Sequence, residues 1–179
     1  MSNNYFMGDL HFGHNGISEK FRTQFGSDED HHEAIHSNVM DCAGKRNNLY
    51  LLGDVFFKQE HFTKLDDYAK NFDQVWLFLG NHDAKSIVRY AMGFPNVNCF
   101  GLYKRFGYWL SHAPIHPQEL YRGYSIHGHV HTNTVPDARY LNVSCENVNY
   151  KPIELDEIRA IFEQRVRMGL IADVKPHKD

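Results

Sequence analysis

Five short blocks of this chain concentrate the residue types that bind cations and move protons: Gly8-Asp9-Leu10-His11-Phe12-Gly13-His14, Gly53-Asp54, Gly80-Asn81-His82-Asp83, Ser111-His112-Ala113 and Gly128-His129-Val130-His131. Asp9 and His11 sit two residues apart, a spacing at which an irregular loop can turn a carboxylate and an imidazole toward one divalent ion. Asp54 has two oxygens with which to bridge two ions, Asn81 offers a neutral amide oxygen, and His112, His129 and His131 offer imidazoles. A donor set of nitrogen and oxygen without thiolate suits Mn, Fe, Zn or Ni better than a calcium cage or a cysteine-rich structural zinc site. Two divalent ions roughly 3.5–4 Å apart can activate a bridging hydroxide and clamp a phosphoryl group for in-line attack. Each residue alone has a plainer explanation, since Asp and Asn suit turns and buried histidines are commonly just hydrogen-bonded. Five ordered blocks, four with a flanking glycine that permits close backbone approach, are not explained that way.

The elements that must carry these blocks are strands that stop where the blocks begin. Residues 4–7 read as a short strand, and Leu49-Tyr50-Leu51-Leu52 as a strand buried on both faces that ends at Gly53-Asp54. The run 74–79 is a third strand and ends at Gly80-Asn81. Between them lie two helical patterns. One is capped by Ser27 with Ile35, Val39 and Cys42 at helical spacing, and the other is a stripe of Phe62, Leu65, Tyr68, Ala69 and Phe72. Two successive β-α-β steps predict a parallel sheet with right-handed crossovers. After a further helix over 84–92, strands over 97–100, 102–106, 108–111, 124–127 and 140–144 predict a second, largely antiparallel sheet, with Gly101 and Gly107 at turns. A last helix spans 155–168. The expectation is an α/β fold, two sheets packed face to face with helices outside each, and all five blocks on one rim.

The 179 residues fit a single domain over 1–179, with a polar tail from about 172 expected to fray. The 19 basic and 22 acidic residues give a formal charge of -3, which argues against an extended nucleic-acid surface. Cys42, Cys99 and Cys145 form no CxxC pair and read as reduced thiols; with no signal peptide and no transmembrane span, the expected location is the cytoplasm. Of thirteen histidines, His31, His32, His36, His61 and His177 lack motif context and read as surface residues. His14 can reach the substrate side of the site, His127 reads as packing or support, and His116 fills no ligand slot.

The five blocks, in order and context, resemble the motif series of calcineurin-like metallophosphoesterases, over roughly Tyr5 to His131. The stretch from Asn142-Val143 to Tyr150-Lys151-Pro152-Ile153 resembles the tail of short, uncapped members. The resemblance implies a four-layer α/β/β/α sandwich and two divalent metal ions, manganese first, with iron, zinc, nickel or cobalt as alternatives. It implies that Asp9, His11, Asp54 and His131 hold the first ion, and Asp54, Asn81, His112 and His129 the second. His82 would then be no ligand; it would contact the phosphate and protonate the leaving oxygen, its ring oriented by Asp83 or another carboxylate. Around these, Asn81, His14, Phe56 and Arg122 are candidate substrate contacts. Phe12, Phe57, Tyr121 and Tyr150 could complete an apolar wall, and Lys58 could meet phosphate. The expected activity is hydrolysis of a small, nucleotide-like phosphodiester, with a phosphomonoester second. A nuclease is disfavoured by the balanced charge and the lack of a capping or dimerisation extension. A catalytically silent scaffold for protein binding should have eroded ligands, and this chain retains all seven together with His82.

Overall fold

The computed structural model describes residues 2–121 and 123–173. Strand β1 (Asn4–Met7) pairs in parallel with β2 (Gly44–Leu52), which pairs in parallel with β3 (Phe72–Phe78), and β3 with β4 (Val97–Phe100). A two-residue strand, here numbered β9 (Ile153–Glu154), adds antiparallel to β1, giving a mixed sheet of order β4-β3-β2-β1-β9. The second sheet has the order β5-β6-β7-β8, from β5 (Leu102–Arg105), β6 (Tyr108–Ser111), β7 (Tyr124–His127) and β8 (Tyr140–Asn142). The helices are α1 (Ile17–Lys20), α2 (Asp28–Met40), α3 (Thr63–Asn71), α4 (Ile87–Ala91) and α5 (Leu155–Arg167).

The continuous apolar runs of the first sheet serve two cores, because successive side chains of a strand point to opposite faces. Met7, Leu49, Leu51, Val75 and Leu77 pack with Ile35 and Val39 of α2, Leu65 and Tyr68 of α3, and Ile87 of α4. Their neighbours Phe6, Tyr50, Leu52 and Phe78 face the second sheet and meet Tyr108, Leu110, Tyr124 and Ile126. Helix α5 adds Leu155, Ile158 and Phe162 to this inter-sheet core, with Phe162 stacked on Tyr108 and Tyr124. Each such side chain, buried in full, contributes roughly 1.5–3 kcal/mol, so both faces of β1 and β2 are fixed and their tips cannot slide. The architecture is the α/β arrangement of two packed sheets that the sequence leads one to expect, and both sheets are mixed. Ser27 caps α2 as anticipated, its Oγ accepting the Asp30 N–H at 3.0 Å.

Three expectations need correction. The second sheet is antiparallel only in the hairpin of β5 and β6; β6–β7 and β7–β8 are parallel. The parallel arrangement sends the C-terminal ends of β6 and β7, which carry His112 and His129, to the same edge. The strand over 97–100 belongs to the first sheet, registering Val97 against Val75, and not to the second. Finally, His31 and His32 are buried on the inner face of α2 and are not surface residues. His31 Nε2 lies 2.7 Å from the buried Arg22 guanidinium, and His32 Nε2 accepts the Gly13 N–H at 3.1 Å. His36 and His61 are half-buried. His177, Arg122 and the tail from residue 174 lie outside the described residues.

Candidate metal centre

Every block follows the C-terminal end of a strand: Asp9 follows β1, Asp54 follows β2, Asn81 follows β3, His112 follows β6 and His129 follows β7. Backbone bonds knit these loops together. The Asp9 N–H donates to Gly53 O at 3.0 Å, His11 N–H to Asp54 O at 2.9 Å, and Gly128 N–H to His112 O at 2.9 Å. Among the described residues nine non-glycine positions have positive φ, and five of them are Asp9, His11, Asp54, His129 and His131. The left-handed region costs a non-glycine residue of order 1–3 kcal/mol and persists only where the surroundings enforce it. That concentration marks the loops as built to aim these side chains.

The side chains converge as two clusters. Asp9, His11 and His131 form one and Asp54, His112 and His129 the other, with the ligating atoms of each within 4.8 Å of one another. Asn81 joins the second, its Oδ1 3.1 Å from His112 Nε2, and His129 Nδ1 is 3.0 Å from the same nitrogen. Asp54 Oδ2 lies 3.4 Å from His112 Nε2 and 4.0 Å from His11 Nε2, so one oxygen faces both clusters. Asp54 Oδ1 is already used, accepting the His82 N–H at 2.8 Å.

The donor set fits divalent cations on evidence beyond its composition. Asp9 Oδ1 and His11 Nε2 are buried and have no hydrogen-bond partner, an arrangement that costs free energy unless a cation or water fills it. Other polar atoms of the two clusters are tied down. Asp9 Oδ2 accepts the His129 N–H at 2.8 Å, His112 Nδ1 donates to Leu52 O at 3.0 Å, and His131 Nδ1 meets Glu146 Oε1 at 3.1 Å. Burial by itself would raise the Asp9 and Asp54 pKa values, but the nearby His11 and Ser144 side chains for Asp9, and His112 and the His82 amide for Asp54, carry both below the ordinary carboxylate range. Two anionic centres are thus kept ready. Glycines make room: a Cβ on Gly80 would lie 2.1 Å from Asp54 Oδ1, and one on Gly128 would lie 2.4 Å from Asp9 Oδ2.

Beside the clusters opens a cavity of about 650 Å³, lined by Ile17, Phe21 and Phe57 and by Thr132, Asn133 and Glu146. His14 and His82 both reach it, and the Phe57 ring stacks on each, at centroid distances of 4.9 and 5.1 Å. His14 Nδ1 is also 3.1 Å from His11 Nδ1.

Several nominated residues have other jobs. Both oxygens of Asp83 accept backbone N–H groups, from Asp54, Val55, Phe56 and Gly80 at 2.8–3.0 Å, so this carboxylate staples the β2 and β3 loops together instead of steering the His82 ring. Phe56 and Phe12 are wholly buried in the helix-side core, and the residue in the cavity wall is Phe57. Tyr121 is exposed, Tyr150 packs edge-on to Phe25, and Lys58 Nζ bonds Asn15 Oδ1 at 2.7 Å. His127 is buried, as packing residues are. Sequence reasoning missed Arg22 and Glu146, which line the same cavity and contact Asp9 and His131. Glu146 falls in the 142–153 stretch already noted, while nothing local distinguishes Arg22.

Comparison with known proteins agrees with this geometry. The chain is 27% identical to uncharacterized protein MJ1445 of Methanocaldococcus jannaschii, over 95% of this chain and 97% of that protein. The crystal structure of the protein of unknown function AQ665 from Aquifex aeolicus shares the fold, with a TM-score of 0.70 at 24% identity, covering 90% of this chain and 100% of that one. The family model for calcineurin-like phosphoesterases matches residues 5–167. With that match spanning both sheets and both clusters, the chain belongs to the calcineurin-like phosphoesterase family and is a metal-dependent phosphoester hydrolase.

Proposed function

We propose that this protein hydrolyses a small, nucleotide-like phosphodiester with two divalent cations, manganese foremost. Asp9, His11, Asp54 and His131 would hold one ion, and Asp54, Asn81, His112 and His129 the other. The observation that carries this reading is the position of Asp54 Oδ2, within 4.0 Å of a histidine nitrogen in each cluster. Bound there, two such ions supply Lewis acidity toward phosphoryl oxygens and lower the pKa of water.

The chain's own residues account for the rest. His82, on the cavity wall, holds a proton for the departing alkoxide, a need greater for a diester, whose leaving group is a poor one. Asp54 Oδ1 and Asp83 fix the loop that presents it. His14, anchored through Nδ1 to His11, keeps its second nitrogen for the substrate phosphate, as Asn81 keeps its amide. Phe57 holds both histidine rings and, with Ile17 and Phe21, excludes water from the organic group. Thr132 and Asn133 offer hydrogen bonds to that group. No helix among the described residues is long and apolar enough to cross a membrane. Three free cysteines suit a cytoplasmic location.

The test is hydrolysis of bis-p-nitrophenyl phosphate and p-nitrophenyl phosphate by protein loaded with Mn, Ni, Co or Zn. Faster turnover of the diester is expected. Faster turnover of the monoester would overturn the diesterase assignment, and turnover of neither would favour a silent scaffold.

A further inference from the structure

Arg22 is among the largest fully buried side chains of the described residues, and it lies against the candidate metal centre, where it bonds the Asp9 backbone and not a metal-facing atom. Its Nη2 donates to Asp9 O at 2.6 Å and its Nη1 approaches Leu10 O at 3.5 Å, so the guanidinium grips the backbone at and next to a left-handed ligand residue. Its Nε donates to Glu146 Oε1 at 2.9 Å. The same Glu146 oxygen accepts from His131 Nδ1 at 3.1 Å, which leaves His131 Nε2 directed at Asp9 Oδ1, 3.9 Å away. A continuous chain therefore runs from the Asp9 carbonyl through Arg22 and Glu146 to the His131 ring. It links two ligands of one cluster that are 122 residues apart in sequence. The second cluster is held differently: His112 is fixed by the Leu52 carbonyl, and His129 is exposed.

Resting on the two-ion reading above, we infer that Arg22 and Glu146 are positioning residues for the Asp9–His11–His131 site alone. Glu146 fixes the tautomer and direction of His131, and Arg22 fixes Glu146 and the Asp9 turn. Carboxylate partners of ligating histidines typically change metal affinity by about 10–100-fold when removed.

The experiment isolates each site. In a His112→Ala background only the Asp9 cluster remains, and in a His11→Ala background only the Asp54 cluster. Mn²⁺ alone is titrated calorimetrically into chelator-stripped protein with and without Glu146→Gln. The affinity should fall about 10–100-fold in the first background and stay unchanged in the second. Because Glu146→Gln strands the buried guanidinium and also removes a charge, the pair Arg22→Met/Glu146→Gln is measured beside it, leaving the local net charge as it was. The loss should persist there. Return of the affinity to its starting value in the double variant would overturn the inference, since the effect would then be charge alone. An equal loss in both backgrounds, or none in the first, would overturn it too. The parent protein is titrated as well: two bound ions support the two-ion reading independently, and fewer than two overturn that reading and this inference together.

Discussion

His31 should make the fold acid-sensitive in a way that can be isolated. Burial pushes its pKa down to about 3, with the charges of Arg22 and His32 acting in the same direction. Arg22 Nη1 lies 2.7 Å from His31 Nε2, so the folded state holds a neutral ring accepting that bond. The unfolded chain regains the ordinary value near 6.5 and binds the proton that the folded state refuses. The contribution is therefore complete above about pH 6.5 and is lost as pH falls from there toward 3. At pH 5 an ordinary histidine is protonated by roughly thirty to one while His31 is almost wholly neutral, a difference of about 2 kcal/mol. His31→Gln keeps an acceptor for Arg22 and cannot titrate. In chelator-stripped protein, urea unfolding followed by circular dichroism at pH 7.5 and pH 5 should show the parent losing about 2 kcal/mol more than the variant. His11, His32 and His127 are also pushed down by burial, and their contributions cancel in the difference. Equal losses in the two proteins would refute the assignment of a neutral, desolvated His31.

The remaining expectations concern the site. In His82→Ala, elemental analysis should find metal content intact while turnover drops by roughly two to four powers of ten; loss of metal would make His82 a ligand. Gly80→Ala drives a methyl into Asp54 and should lower bound metal and cost roughly 1–3 kcal/mol of stability, read by elemental analysis and urea unfolding. Unchanged metal content would mean the loop yields. Phe57→Ala should raise KM for aryl phosphodiesters with little change in stability, whereas Phe56→Ala should cost roughly 3–5 kcal/mol in unfolding free energy. Equal stability losses would erase the distinction between wall and core.

The five blocks were legible because each lies beside a strand end and all but the His112 block carry a flanking glycine, signals contained within a few residues. The tips of β1, β2 and β3 followed from their apolar runs, and β4, β6 and β7 were found at their observed bounds. Strand direction in the second sheet was not legible, since a short apolar segment reads the same whichever way it pairs. Nor was the choice between Phe56 and Phe57: they lie on a loop, where no strand period decides which ring faces the core. Asp83 looked like a partner for its neighbour His82, but its bonds go to the Asp54–Phe56 loop about thirty residues away, and sequence adjacency misled. The buried His31 pairs with Arg22, His32 with the Gly13 amide, and Arg22 with Glu146, 124 residues further on. Contacts of that range leave no local pattern.

The left-handed turns at Asp9, His11, Asp54, His129 and His131 bear on how such a site would decay. Aspartate and histidine, the residue types proposed to bind the ions, are also among the non-glycine types that most readily adopt this conformation. Chemistry and backbone therefore select the same letters, and substitutions at these positions fall into two kinds. Alanine loses the ligand and keeps the strain; glycine loses the ligand and relieves it. A descendant of this chain released from selection for hydrolysis would gain stability by drifting toward glycine at the loop tips, with the sheets beneath unchanged. Ligand loss and fold loss are thereby uncoupled, and inactive relatives of this architecture should carry extra glycines where this protein carries its ligands.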